Sequence, residues 1–148
     1  MNHALKLAQL AGDAGEIPVG AVIINASGEL ISEAENRKER DTDPTGHAEI
    51  IAIRAATKNL NSWRLTNCTL YVTLEPCSMC AGAIFLARLG MLVYGADDPK
   101  TGALRTVLNI PDSPASNHKL KVIAGVLESP CRRLIKDWFQ HKRRQSNT

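Results

Sequence analysis

No apolar run among the 148 residues approaches the ~20 residues that a transmembrane helix needs, which argues against a helical membrane protein. The opening stretch MNHALKLAQLAGDAG reads as a helix rather than a secretory leader, since Gln9 breaks its apolar part and no convincing cleavage site follows. Cysteine is scarce, four in all, and in a chain expected to be cytoplasmic these thiols are reduced, metal-bound or catalytic rather than bridged. Internal repeats and linkers are absent, and nothing in 44% hydrophobic and 22% charged residues marks disorder, a collagen-like repeat or a coiled coil. What remains is a globular chain read as one domain, 1–148, long enough to bury roughly 70% of its unfolded surface without disulfide staples.

Charge is unevenly spread. The last 30 residues carry eight basic and two acidic side chains, a net +6, whereas the first 118 carry ten and thirteen, a net −3. A basic end on a mildly acidic body suits a polyanion-binding enzyme, although a solvated helix face with a frayed tail accounts for it too, and charge alone does not favour nucleic acid.

Periodicity orders the rest. Ala4, Leu7, Ala8 and Ala11 share one helical face, so the N-terminus reads as a first helix. IPVGAVIIN and GELISEAEN, joined by the turn-like NASG, read as a hairpin. The charged RKERDTDPTG is a loop, HAEIIAIRAATKNL a buried helix, and NCTLYVTL a strand with Cys68, Leu70, Val72 and Leu74 on its apolar face. After Pro76, CSMCAGAIFLARLG reads as a helix ending at Gly90, followed by the strand MLVYGA and a long loop, DDPKTGALRTVLNIPDSPASNH. KLKVIAGV is a final strand and about 129–144 a basic final helix, with Ser129 as cap and Pro130 in its first turn. Strands alternating with helices define the α/β class.

The chemistry lies in two short motifs. Cys77 and Cys80, three apart at a helix start, share a face, and the positive helix end favours their thiolates. The other thiols suit the core better: Cys68 on its strand's apolar face, and Cys131 on a helix stripe with Leu134, Ile135 and Trp138. Of the four histidines, His47 stands out because it too opens a helix, and helix starts gather beyond the carboxyl ends of strands in an open sheet. His47, Cys77 and Cys80 make three ligands with a fourth position open, the ligand count of a catalytic zinc. Glu49, in the first turn beside His47, can reach that open position and move a proton there; an isolated Glu would be read as complementing the helix dipole, but beside a His and upstream of P-C-x-x-C the proton role is preferred. A redox C-x-x-C would leave His47 and Glu49 without a role.

HAE and PCSMC together match the zinc-deaminase signature H-x-E…P-C-x-x-C. With NHALKLA, IPVGAVI, Asn36–Arg37, DPTGHAEI, LYVTLEPCSMCAGAI, LVYGADDPKTGA, NHKL and DWF, the chain from His3 to about Phe139 resembles the bacterial-type tRNA adenosine deaminases. That resemblance implies a three-layer α/β/α cytidine-deaminase-like fold around a mixed sheet of about five strands, a homodimer with one zinc ion per subunit, and a tRNA anticodon stem-loop as partner. It implies conversion of the wobble adenosine of an arginine tRNA to inosine. On this resemblance His47, Cys77 and Cys80 hold zinc, Glu49 shuttles protons, and Asn36 contacts the base. Asp98 and Lys100 fall in the nucleic-acid-contacting loop, with Asn117, His118 and Phe139 also on the substrate side; helix spacing by itself favours a core place for Phe139. The chain departs from the pattern at LRTVLNIPDSPAS, where relatives have a small Gly-Ser step, and at Glu35. Two rival readings are a deaminase of a free base or nucleoside and a non-catalytic zinc-stabilised binding module.

Overall fold

The computed structural model describes residues 1–146. Its elements run α1 (Asn2–Asp13), β1 (Gly20–Ile24), β2 (Leu30–Glu35), α2 (Ala48–Asn59), β3 (Thr69–Leu74), α3 (Ser78–Leu86), β4 (Met91–Ala96), β5 (Lys121–Ile123) and α4 (Glu128–Ser146). The five strands form one mixed sheet in the order β2-β1-β3-β4-β5. β1 is antiparallel to both β2 and β3, while β3, β4 and β5 are parallel. Among the described residues no helix is long and apolar enough to cross a membrane.

The period-two alternation of the strands decides which helices cover which face. Ala21 and Ile23 of β1, Leu70 and Val72 of β3, and Leu92 and Tyr94 of β4 join Ala52, Ile53, Ala81 and Ile84 in the main core, so α2 and α3 cover that face. Val22 turns the other way, onto Ala4 and Leu7 of α1, with Tyr71 and Ile24 beside them. α4 lies on that second face too, where Gly95 admits Cys131: a Cβ at Gly95 would sit 2.4 Å from the Cys131 sulfur. Cys68 and Cys131 are both buried free thiols. The result is a three-layer α/β/α sandwich with a mixed five-stranded sheet.

α1 presses even closer on β1. A Cβ at Gly20 would lie 2.1 Å from the Ala4 carbonyl oxygen and 2.7 Å from the Ala8 nitrogen, both main-chain atoms of the facing helix. Gly20→Ala is therefore expected to cost about 1–3 kcal/mol, the usual penalty of overpacking, read as a lower urea midpoint at unchanged m-value. An unshifted midpoint would show that α1 can move off the sheet freely.

Two element ends differ from the sequence expectation. α3 stops at Leu86, before Gly90, because Arg88 adopts φ 54° and the chain closes with Arg88 N–H on Phe85 O at 3.0 Å and Leu89 N–H on Ile84 O at 3.2 Å. That is the Schellman pattern, made here without glycine. Gly90 instead lets β4 pass the Thr66 carbonyl, which a Cβ would approach to 2.3 Å. α4 begins one residue before Ser129, so Leu127, at φ 54°, precedes the helix and Ser129 lies inside its first turn.

Candidate metal centre and cleft

The carboxyl ends of β2, β3 and β4 fall on one edge of the sheet, since Gly20 pairs with Glu35, Ala21 with Val72, and Leu74 with Ala96. This is the edge at which open α/β sheets place their ligands. A cleft of about 650 Å³ lies there, lined by Val19, Asn36, His47, Glu49, Glu75 and Cys77 among others.

His47 and Cys77 are both residues that precede a helix, α2 and α3 respectively, and neither uses its side chain to cap it. For α2 the cap comes from elsewhere: Asn36 Oδ1 accepts the Ala48 N–H at 2.9 Å, and its Nδ2 donates to Ile17 O at 3.0 Å. The imidazole is thereby free to face the thiols. His47 Nδ1 lies 3.7 Å from Cys77 Sγ and 3.5 Å from Cys80 Sγ, and the three ligand atoms are all within 4.8 Å of one another. This is the group of described residues that could hold a metal ion.

Electrostatics in the metal-free protein follow from the crowding. The hydrogen bond from Cys80 brings the Cys77 thiol down to about 4, with His47 helping against burial. The same bond, then burial, pushes Cys80 up, so the pair keeps one thiolate and one thiol. The Cys77 sulfur raises His47 toward its charged form, against the effect of burial. Glu49 is 4% exposed, and burial raises its carboxyl above the ordinary range. It lines the cleft together with His47 and Cys77, so it stands beside the metal-ligand cluster and not on an outer helix face.

The other sequence candidates divide. Asn36 and Asp98 line the cleft, but each carries structural bonds: Asp98 accepts the main-chain N–H groups of Lys100 at 2.9 Å and Thr101 at 3.2 Å and the Thr101 hydroxyl at 2.6 Å. Lys100 sits on that exposed turn, outside the cleft lining. Phe139 is not core: it is 36% exposed and lines the cleft beside Trp138, to which its ring stands edge-on at 5.0 Å. Asn117 and His118 are not brought to the cleft. Asn117 pairs with Arg88, and His118 Nε2 lies 2.6 Å from Leu89 O, at the start of β4 and so on the opposite edge of the sheet.

Several cleft residues are not among the candidates the sequence singles out. Trp138, tied by its indole N–H to Gly12 O at 3.3 Å, and Lys142, 5.4 Å over the Trp138 ring, join the α4 wall. Glu16, 2% exposed, pins the loop after β2 by accepting the N–H of Arg40 at 2.8 Å and of Glu39 at 3.2 Å. Burial works to raise the Glu16 carboxyl, but those bonds and the Arg40 guanidinium outweigh it and hold it low. Glu75 belongs to the same class of buried wall residue.

The α/β/α sandwich thus carries a His–Cys–Cys cluster and a buried glutamate at the carboxyl edge of its sheet, and comparison with known proteins assigns the chain to the deaminases. Residues 1–143 match the family model of the MafB19-like deaminases, and the chain belongs to that family. It is 48% identical over 145 residues to the tRNA-specific adenosine deaminase of Haemophilus influenzae, covering 98% of this chain and 84% of that one. A solved structure from a study of A-to-I editing by tRNA:A34 deaminases at the wobble position of transfer RNA superposes with a TM-score of 0.88. It is 42% identical and covers 90% of this chain and 96% of its own. A guanine deaminase from Bacillus subtilis is more distant, at TM-score 0.63 and 33% identity, covering 94% and 90% of the two chains.

Proposed function

We propose that this deaminase hydrolyses adenosine to inosine at the wobble position of a tRNA anticodon, an arginine tRNA in the reading taken from sequence, with release of ammonia. The observation that carries the chemistry is the convergence of His47, Cys77 and Cys80 with buried Glu49 in one cleft. The similarity to tRNA-specific adenosine deaminases over nearly the whole chain supports the substrate.

Zinc is the metal the donor set fits. Zn–N of about 2.0 Å and Zn–S of about 2.3 Å at a tetrahedral angle put nitrogen and sulfur about 3.5 Å apart, against 3.5 and 3.7 Å here. His47, Cys77 and Cys80 would hold the ion, which when bound would supply the Lewis acidity that lets a water lose its proton near neutral pH. Glu49 would do the proton work: its carboxylate takes a proton from the attacking water and gives it to ring N1 as oxygen adds to C6, then takes the proton left on that oxygen and passes it to the departing amine as the C6 carbonyl forms. Oxygen from water stays on C6, and the amino group leaves as ammonia. Asn36 keeps one amide hydrogen and one lone pair beyond its two structural bonds, enough to meet a purine edge. Phe139 and Lys142 border the cleft on the basic helix, where flanking nucleotides and their phosphates would lie. The reading includes a homodimer, and Leu86, 78% exposed on α3, is apolar surface that a second copy would cover.

The guanine deaminase likeness supports a second substrate reading, a free base. One assay separates the two. Zinc-loaded protein is offered an anticodon stem-loop with wobble adenosine, free adenosine, cytidine and guanine, at 50 and 200 mM salt. Turnover of the stem-loop alone is expected, with kcat/KM falling about tenfold across that salt range as phosphate contacts are lost. Turnover of free guanine alone, indifferent to salt, would replace the RNA reading.

A further inference from the structure

Glu75 is a buried carboxylate to which the chemistry above gives no part. It follows β3 directly, ahead of Pro76 and Cys77, and is 1% exposed. Its Oε1 accepts the main-chain N–H groups of Leu104 at 3.2 Å, Arg105 at 2.9 Å and Thr106 at 3.1 Å. Its Oε2 accepts the Asp98 N–H at 3.0 Å and the Thr106 hydroxyl. Five donors, all from one loop, converge on one side chain. The fit is close enough to require glycine at 102, where a Cβ would stand 2.1 Å from Oε2 and 2.6 Å from the Asp98 carbonyl oxygen.

The loop so gathered supplies Asp98 and Thr101 to the cleft wall. It is also tied back to the metal-ligand segment, since Ala103 N–H donates to Pro76 O at 2.9 Å. Four of the five donors are main-chain N–H groups turned inward, and without an acceptor each would be left unpaired beneath the wall. A neutral side chain of the same shape cannot serve them all. An amide keeps one oxygen but sets an NH2 donor against donors at the other position.

We propose that Glu75 is the positioning residue of the substrate wall: its carboxylate assembles residues 98–106 into a preformed surface and so sets substrate affinity, leaving proton transfer to Glu49. The inference rests on the proposed function for the identity of the substrate only. The alternative is that Glu75 serves the metal ligands through Pro76.

Glu75→Gln and Thr106→Val are compared with the parent as zinc-loaded proteins. For Glu75→Gln, KM for the stem-loop is expected to rise about tenfold with kcat within about threefold and metal content unchanged, the loss of a charge-assisted contact. Amide hydrogen exchange at 98 and 104–106 should quicken by about tenfold or more. Thr106→Val, which deletes only the hydroxyl, should move KM and exchange the same way by a smaller factor. Parent-like KM with those amides still protected would overturn the proposal. So would loss of metal and of kcat at unchanged KM, which assigns Glu75 to the metal centre. The exchange readout needs no substrate, so a parent inactive on the stem-loop would defeat the proposed function and leave the Glu75 test standing.

Discussion

Glu49→Gln is expected to lower kcat on the stem-loop by about 10²–10⁴-fold while metal content and unfolding midpoint stay at parent values. The size follows from what the side chain can do and nothing else nearby can. Glu49 is buried at the metal-ligand cluster and lines the cleft, so it can reach both an attacking water and a bound purine. Its carboxyl is raised above the ordinary range, chiefly by burial, which makes it a better proton donor-acceptor near neutrality than an exposed glutamate. Of the other cleft carboxylates, Glu16, Glu75 and Asp98 each accept several donors from the loops they hold, and Glu39 is exposed on the loop after β2. Glutamine keeps the volume and removes the titrating group, so packing is not the variable. Activity equal to the parent would deny Glu49 any proton transfer. Loss of metal with the substitution would make it a ligand and favour the zinc-stabilised binding module.

How much of this is legible in the sequence depends on how far apart the interacting residues are. Strand alternation and helix spacing are local, so the α/β order can be read directly, and the burial of Ala4, Leu7, Ala8 and Ala11 on α1 follows from their spacing. The cysteine pair is local as well, and His47 is marked by its place at a helix start. Long-range placement is what the sequence hides. Glu75 finds its donors 23 to 31 residues downstream, and nothing around it in LEPC announces them. Trp138 reaches Gly12 across 126 residues, which is what turns α4 toward the cleft and takes Phe139 out of the core. The pair Asn117–His118 lies after a loop whose path no periodicity describes, and the chain carries it to the far edge of the sheet. Arg88 and Leu127 take left-handed backbone without being glycine, so the ends they mark have no sequence signature.

The second large effect concerns the metal. Cys80→Ser is expected to abolish stoichiometric zinc binding and to lower activity by at least about 10³-fold, because a serine hydroxyl is a poor zinc ligand at neutral pH. Cys80 is fully buried and its sulfur faces His47 Nδ1 at 3.5 Å, so no solvent-exposed thiol can replace it. The parent protein should show the proton side of the same contact. In the metal-free state Cys80 is pushed up by its bond to Cys77 and by burial, so its proton is bound at neutral pH, while Cys77, at about 4, has already lost its own. Zinc must displace the Cys80 proton, so apparent affinity should rise with pH, by at least about tenfold per unit around neutrality. His47 is raised as well, and below its pKa a second proton must leave, so the dependence should steepen as pH falls. Competition with a chromophoric chelator, with proton release followed in two buffers of different ionisation enthalpy, measures both quantities. A zinc affinity flat from pH 6 to 8, or a Cys80→Ser variant that keeps its metal, would mean that the three side chains do not bind the ion together.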